Sequence, residues 1–328
     1  MDIKINSSRL KNLFSYDWIK ILISIVAGIV VWSLLFTTLG TRLTEGQEFV
    51  FHIYENVYTV GSNEKNAEML VDAKDKGLLS YDVLKFTINP ITGAGQYSAS
   101  YMLSLKMSTH EGDVMLISDG RAETEDKNKK SDLTKIINNY YLCDMDTLLK
   151  SARAYCVDNG FIIENEGSWS VNEKKIEEYF LNVRIKGKGN GNYRKTYRTA
   201  QQKAQGVQLE IARIKQLYEN YLYVSAAIEV AKKAGNDFLW YGELYSYDEN
   251  NKIIEDKTVI KPYGIDLYKL NQPFLGQEGV PNVEDTWYTY ANGKPTAEGL
   301  VLCVFDFRTY QVDLQYETLG FLRYVIQT

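Results

Sequence analysis

From Ile21 to Thr41 the chain carries no charged side chain, and at roughly 1.5 Å per residue such a helix crosses a hydrocarbon layer of about 30 Å. A core helix of a soluble domain normally keeps a polar side for water, which this run lacks. The pattern therefore predicts a membrane anchor over residues 19–40. A cleaved export signal needs a shorter apolar stretch and a small-x-small site, for which Thr38-Leu39-Gly40 is a poor match. Lys4, Arg9, Lys11 and Lys20 precede the run, whereas Arg42 alone follows closely, ahead of Glu45 and Glu48. This bias keeps residues 1–18 in the cytoplasm as a basic tail and sends everything beyond the linker 41–47 to the other side. Trp18 and Trp32 fall near the two expected interfaces. No cysteine precedes Cys143, so no lipid-bearing cysteine stands near the amino terminus.

Beyond the linker the hydrophobic period alternates between that of strands and that of helices. Glu48 to Tyr54 reads as a strand, and Asn66 to Gly77 as a helix with Met69, Leu70 and Ala73 on one face. Asp82 to Asn89 reads as a strand broken by Pro90, Gly95 to Thr109 as a helix, and Asp113 to Ser118 as a strand ending at Asp119-Gly120. This β-α-β-α-β order predicts a parallel sheet, since parallel neighbours need a crossover and a helix is the usual one. Ile211, Ile214, Leu217, Tyr218, Tyr221 and Leu222 give Tyr197 to Gly235 one buried helical face, in one helix or in two broken at Gly206. Leu239 to Tyr247 and Lys252 to Ile260 read as two strands of a polar hairpin, Leu300 to Phe307 as a buried strand, and Tyr316 to Gln327 as a terminal helix.

Composition narrows the chemistry. The length after the tether, about 280 residues, suits one large domain or two lobes. A net charge of -5 with interspersed signs offers no basic stripe, which argues against nucleic acid. With two histidines, His52 and His110, and with Cys143, Cys156 and Cys303 far apart, neither a metal centre nor a cofactor is expected. A Cys143–Cys156 disulfide and three buried thiols both fit the cysteine spacing. No Gly-x-Ser-x-Gly turn supports a serine nucleophile, and Glu164 with Glu166 defines no catalytic dyad. Lys186-Gly187-Lys188-Gly189-Asn190-Gly191-Asn192 lacks the order of a Walker loop and reads as a mobile turn. Asp248-Glu249-Asn250-Asn251-Lys252 puts lysine where a calcium loop needs oxygen or glycine, and reads as the tip of the hairpin.

Three segments carry a resemblance. Tyr101 to Gly120, where a helix ends in a Gly-Asp turn before an apolar strand, resembles the first lobe of type II extracytoplasmic solute-binding proteins; Tyr140 to Ser151 and Lys261 to Leu270 resemble later pieces of that family. The resemblance implies an α/β fold with a two-lobed ectodomain over 48–328 whose second lobe is complete or reduced, following the single N-terminal transmembrane helix that the apolar run predicts. It also implies a non-catalytic, membrane-tethered solute-binding or receptor module. In parallel sheets ligands gather beyond the carboxyl ends of strands, which selects Tyr54, Asn56, Asn89 and Asp119 as candidate contacts. Trp240 and Trp287 are added as aromatic covers for a sugar, peptide or other small molecule. The alternative is an envelope scaffold that has lost its ligand and holds a membrane-protein partner such as a transporter.

Overall fold

A computed structural model describes residues 18–39, 47–59, 68, 71–94, 97–121, 132–139, 141–187, 191–235, 237–249, 252–254, 257–270, 287–291, 293–306 and 315–327. The chain divides into two compact units, Met1–Leu43 and Thr44–Thr328. In the first, helix α1 (Trp18–Leu39) runs for 22 residues, about 33 Å at the usual rise. Its described apolar side chains, among them Ile19, Leu22, Val26, Ile29 and Trp32, are exposed on every face. Among the residues whose side chains are described, no helix is long and apolar enough to cross a membrane. Within α1 the side chains of residues 21 and 34–39 lie outside that set.

The second unit is built on a mixed, seven-stranded sheet. Strands β1 (Glu48–Tyr54), β3 (Lys85–Ile91) and β4 (Val114–Ser118) are parallel, with β1 in the middle. Here the expected parallel sheet is found. It ends at β4, whose other side takes the antiparallel strand β12 (Leu300–Phe305), followed by β9 (Val259–Asp266) and β8 (Leu239–Leu244), also antiparallel. The two-residue β5 (Leu142–Cys143) also pairs with β12. Because β12 lies between the amino-terminal βα units and the β8–β9 hairpin, it joins them in one sheet. Thr44–Thr328 cluster as one compact unit. A separate short ribbon pairs β2 (Tyr58–Thr59) with β10 (Trp287–Ala291) and β10 with β11 (Lys294–Thr296). A small hairpin joins β6 (Ile162–Asn165) to β7 (Ser168–Val171).

Alternation along the strands sorts the core into two faces. Phe49, Phe51, Val114, Leu116, Leu302 and Val304 pack against α4 (Met145–Asp158), α7 (Ala200–Ala234) and α9 (Thr318–Gln327). Met115, Ile117, Val301, Cys303 and Phe305 face α2 (Ala99–Ser108) and α3 (Asp132–Asn138). A one-residue register slip would exchange the two sets, so the pattern itself fixes the pairing. Local chemistry sets the helix ends. The Ser98 and Asp144 side chains cap α2 and α4, and Thr199 with Gln202 forms a reciprocal capping box on α7. At the outer edge of β8, the Asn138 amide donates to the Glu243 carbonyl (3.0 Å) and its oxygen accepts from the Tyr245 N–H (2.7 Å).

Several expectations need correction. Pro90 lies inside β3 opposite Ile53 rather than ending the strand, which is tolerated because β3 is an edge. Residues 71–75 are helical, as expected; Met69 and Leu70 lie outside the described residues. Helix α7 is unbroken for 35 residues. Gly206 is no kink: a Cβ there would overlap the rings of Phe180 and Tyr197, so the glycine lets these aromatics approach the helix. The segment read as a mobile turn instead enters helix α6 (Gly191–Thr196), with 188–190 outside the described residues. The three cysteines are free and buried, so the disulfide alternative is not realised.

A buried ionic network holds this unit together. Helix α5 (Glu173–Tyr179) continues into a π turn, Phe180–Arg184, that carries Arg184 inward onto Asp82 and the Tyr193 hydroxyl (2.9 Å). Glu210 lies 3.2 Å from Arg184 Nε and 2.8 Å from Arg213 Nη2, and it accepts from the Tyr81 hydroxyl at 3.0 Å. Arg213 also reaches Glu317 (3.4 Å) and donates to the Tyr155 hydroxyl (3.2 Å). Burial alone would raise the Glu210 carboxyl, but Arg184 and Arg213 overcome it and hold it at about 2, below its ordinary 4.5. Glu317, with less cationic company, is pushed up by burial.

Removing one member of such a network leaves a buried charge uncompensated. Arg213→Met is expected to cost about 3–5 kcal/mol in urea denaturation. Because the Glu210 carboxyl is lower in the folded state, its contribution is full above pH 4.5 and lost as pH falls toward about 2. The stability gap between the wild type and Glu210→Gln should therefore narrow over that acid range.

Candidate functional site

The carboxyl ends of β1 and β4 lie side by side, and the candidate residues there have different roles. Asn56 donates to the Ser118 carbonyl and accepts from the Ser118 N–H, both at 3.1 Å. Its amide thus extends the β1–β4 ladder by one rung. Asn89 lies within β3, not at its end, and its carbonyl faces His52 Nδ1 at 3.2 Å. Trp287 opens β10 and pairs with Thr59; its side chain lies outside the described residues.

Asp119 and Trp240 are brought together. The Trp240 indole Nε1 donates to Asp119 Oδ2 at 2.8 Å. Arg121 spans two buried carboxylates, placing Nε 2.5 Å from Asp119 and Nη2 2.5 Å from Asp266. Burial disfavours the guanidinium charge, but Asp266 and Asp119 overcome this and hold Arg121 more firmly protonated than usual. Asp266 also accepts from the Lys269 N–H at 3.2 Å, at the start of the short helix α8 (Leu267–Leu270). The Asp119 N–H donates to the Gly299 carbonyl at 2.9 Å. Gly299 has φ 79°, and a Cβ there would overlap Asp119 Oδ1. The cluster clasps the ends of β4, β8, β9 and β12, and its paired carboxylates are poor candidates for a free base.

A pocket of about 390 Å³ lies elsewhere on this unit, against α5 and α7; the pocket next to the candidate residues, about 320 Å³, opens between α2 and α3. Tyr54, buried at the end of β1, lines the latter pocket together with Tyr101, Ser104, Asp132, Asn139 and Tyr141. Burial first, then the Asp132 and Glu55 carboxylates, push the Tyr54 phenol well above its ordinary range. Tyr101 stacks on Tyr97 with ring centres 4.7 Å apart, and the Tyr141 hydroxyl donates to Ser104 Oγ at 3.4 Å. Lys135 Nζ lies 2.9 Å from Asp132. Hydroxyls, an amide, a carboxylate, an ammonium and aromatic surface thus surround a space suited to a small polar molecule. Of the sequence candidates whose side chains are described, only Tyr54 lines it. A usable signal for the rest lay in DLTKIIN, where Leu133, Ile136 and Ile137 take helical spacing and leave Asp132 and Lys135 on the outer side.

Nucleophiles are held back. His52 is buried, with Nε2 facing the Glu111 carbonyl at 3.1 Å, and burial lowers its pKa. Burial pushes the Cys156 thiol up to about 12, where little thiolate forms at neutral pH. Glu164 is paired with Arg153 and accepts from the Tyr218 hydroxyl at 2.5 Å. Among the described residues no group of three or more His, Cys, Asp or Glu could hold a metal ion. Comparison with protein-family models, with curated proteins and with solved structures finds no match for the chain.

Gly299→Ala forces both a left-handed backbone and the Asp119 overlap on a side chain that cannot avoid either. It should lower unfolding free energy by about 1–3 kcal/mol in chemical denaturation.

Proposed function

We propose that the chain is a membrane-tethered recognition module whose second unit binds a small polar ligand between α2 and α3 on the extracytoplasmic side. The observation that carries the binding reading is the pocket floored by Tyr54, because it lies at the carboxyl end of a parallel strand and gathers polar groups from separate elements. The tether rests on the uncharged run from Ile21 to Thr41 and on the basic residues before it. Recognition rather than catalysis is supported by the pairing of Asp119 and Asp266 with Arg121. The ligand class is a sugar, an amino acid or a short peptide. The scaffold reading has one observation in its favour: Thr44–Thr328 cluster as one compact unit.

One experiment tests location and binding together. Ser100, an exposed pocket residue, is replaced by cysteine; the native cysteines are buried and give little background. A membrane-impermeant maleimide should label Ser100→Cys on intact cells, and the correct ligand pool should slow that labelling by about tenfold at saturation. Labelling only after lysis would overturn the topology. Labelling on intact cells that no pool slows would overturn ligand binding and leave the scaffold.

A further inference from the structure

The pocket against α5 and α7, about 390 Å³, is separate from the one above and has a different chemistry. The π turn Phe180–Arg184 forms part of its wall. Phe180 and Arg184 are buried, while Leu181 and Asn182, on the other side of the turn, line the pocket. Three lysines reach it from three segments: Lys174 from α5, Lys186 from just beyond the π turn, and Lys203 from the first turn of α7. Lys186 donates to Asn182 Oδ1 at 2.8 Å. Among the described residues none of these three ammonium groups has a carboxylate within ion-pair distance, and Lys203 is half-buried. Two carboxylates, Glu177 and Glu178, also line the space, and Glu178 already has Lys175 at 3.9 Å. Lys186 opens the Lys-Gly-Lys-Gly run that fails as a Walker loop.

We propose that this pocket binds a phosphate monoester. Three lysines lining one pocket call for an anion with at least three oxygens and more than one negative charge; a carboxylate has too few of both, whereas a phosphate monoester supplies them. Lysine suits this role as a strongly hydrated point charge with rotatable donors. Glu177 and Asn182 accept hydroxyl groups on the carbon skeleton of the ester, and the two carboxylates repel longer polyanions. The site is independent of the α2–α3 pocket. The ester comes from one of two sources, a soluble metabolite or a lipid headgroup.

Titration calorimetry on the full chain in neutral detergent, with inorganic phosphate and with glycerol phosphate, tests the soluble source. Nanodiscs of phosphatidylcholine with and without phosphatidic acid test the lipid source. Saturable binding is expected in at least one arm, weakened about tenfold by Lys174→Gln and by Lys203→Gln and largely kept by Lys174→Arg. An unchanged melting temperature identifies a folded variant, and two separate lysines allow one to serve if the other is unstable. Binding to phosphate or glycerol phosphate that depends on these lysines supports a soluble ligand. Dependence seen only with phosphatidic acid assigns the same site to a headgroup. Saturable binding in no arm, or equal affinity in wild type and both glutamine variants, overturns the proposal.

Discussion

The buried pairing of Glu210 with Arg184 and Arg213 is the constraint on which the second unit turns. Its members come from segments far apart in sequence: Asp82 before β3, Arg184 on the π turn, Glu210 and Arg213 on α7, and Glu317 before α9. Charges this deep are tolerated only when each meets its counterpart, so the network admits one arrangement of these segments and penalises the rest. Neighbouring hydrogen bonds reinforce the same register: Asn220 donates to the Leu78 carbonyl at 3.1 Å and accepts from Arg323 at 3.1 Å. Around it the apolar face does the larger share of the work, with Phe321 set against Phe49 and Phe51 at 5.4 and 5.8 Å. Hydrophobic burial drives assembly, and the ion pairs select which assembly forms.

Strands with strong period and clear ends were legible. Glu48–Tyr54 has the bounds expected from its pattern, β4 starts one residue later than expected, and β12 starts at Leu300 as expected. Their side chains alternate between two buried faces, so sequence periodicity and burial carry the same information. β3 was read less well because Pro90 is a breaker in a central strand and harmless at an edge, a distinction that depends on neighbours. Gly206 was ambiguous for a similar reason: only the nearby Phe180 and Tyr197 rings show why it has no side chain. On α7, Ile214, Leu217 and Tyr218 are buried as expected, but Leu222 keeps 38% of its surface exposed while Glu210 and Arg213 go inside. A charge enters the core only because a partner waits there, and one chain read in order does not reveal partners.

The same limit governs the candidate site. Asp119 was legible as a strand-end residue and Trp240 as an aromatic, yet their contact spans 121 residues of sequence. Asn56 was legible as a strand-end residue, but not its two bonds to Ser118, which join it to the end of the sheet. Turn residues and ligand residues share a chemistry of short polar side chains, and geometry alone tells them apart. Tyr101 and Asp132 line one pocket because α2 and α3 both cover one side of the sheet. That arrangement belongs to the topology.

The amide of Asn138 against β8 has a wider consequence. A terminal strand with free N–H and C=O groups is a template for polymerisation through edge-to-edge pairing of chains. By bonding to Glu243 and Tyr245, Asn138 occupies two of those groups, and α3 covers that stretch of the strand. The helix that lines one wall of the pocket therefore also acts as a guard against fibre growth, which ties solubility of the unit to the integrity of seven residues.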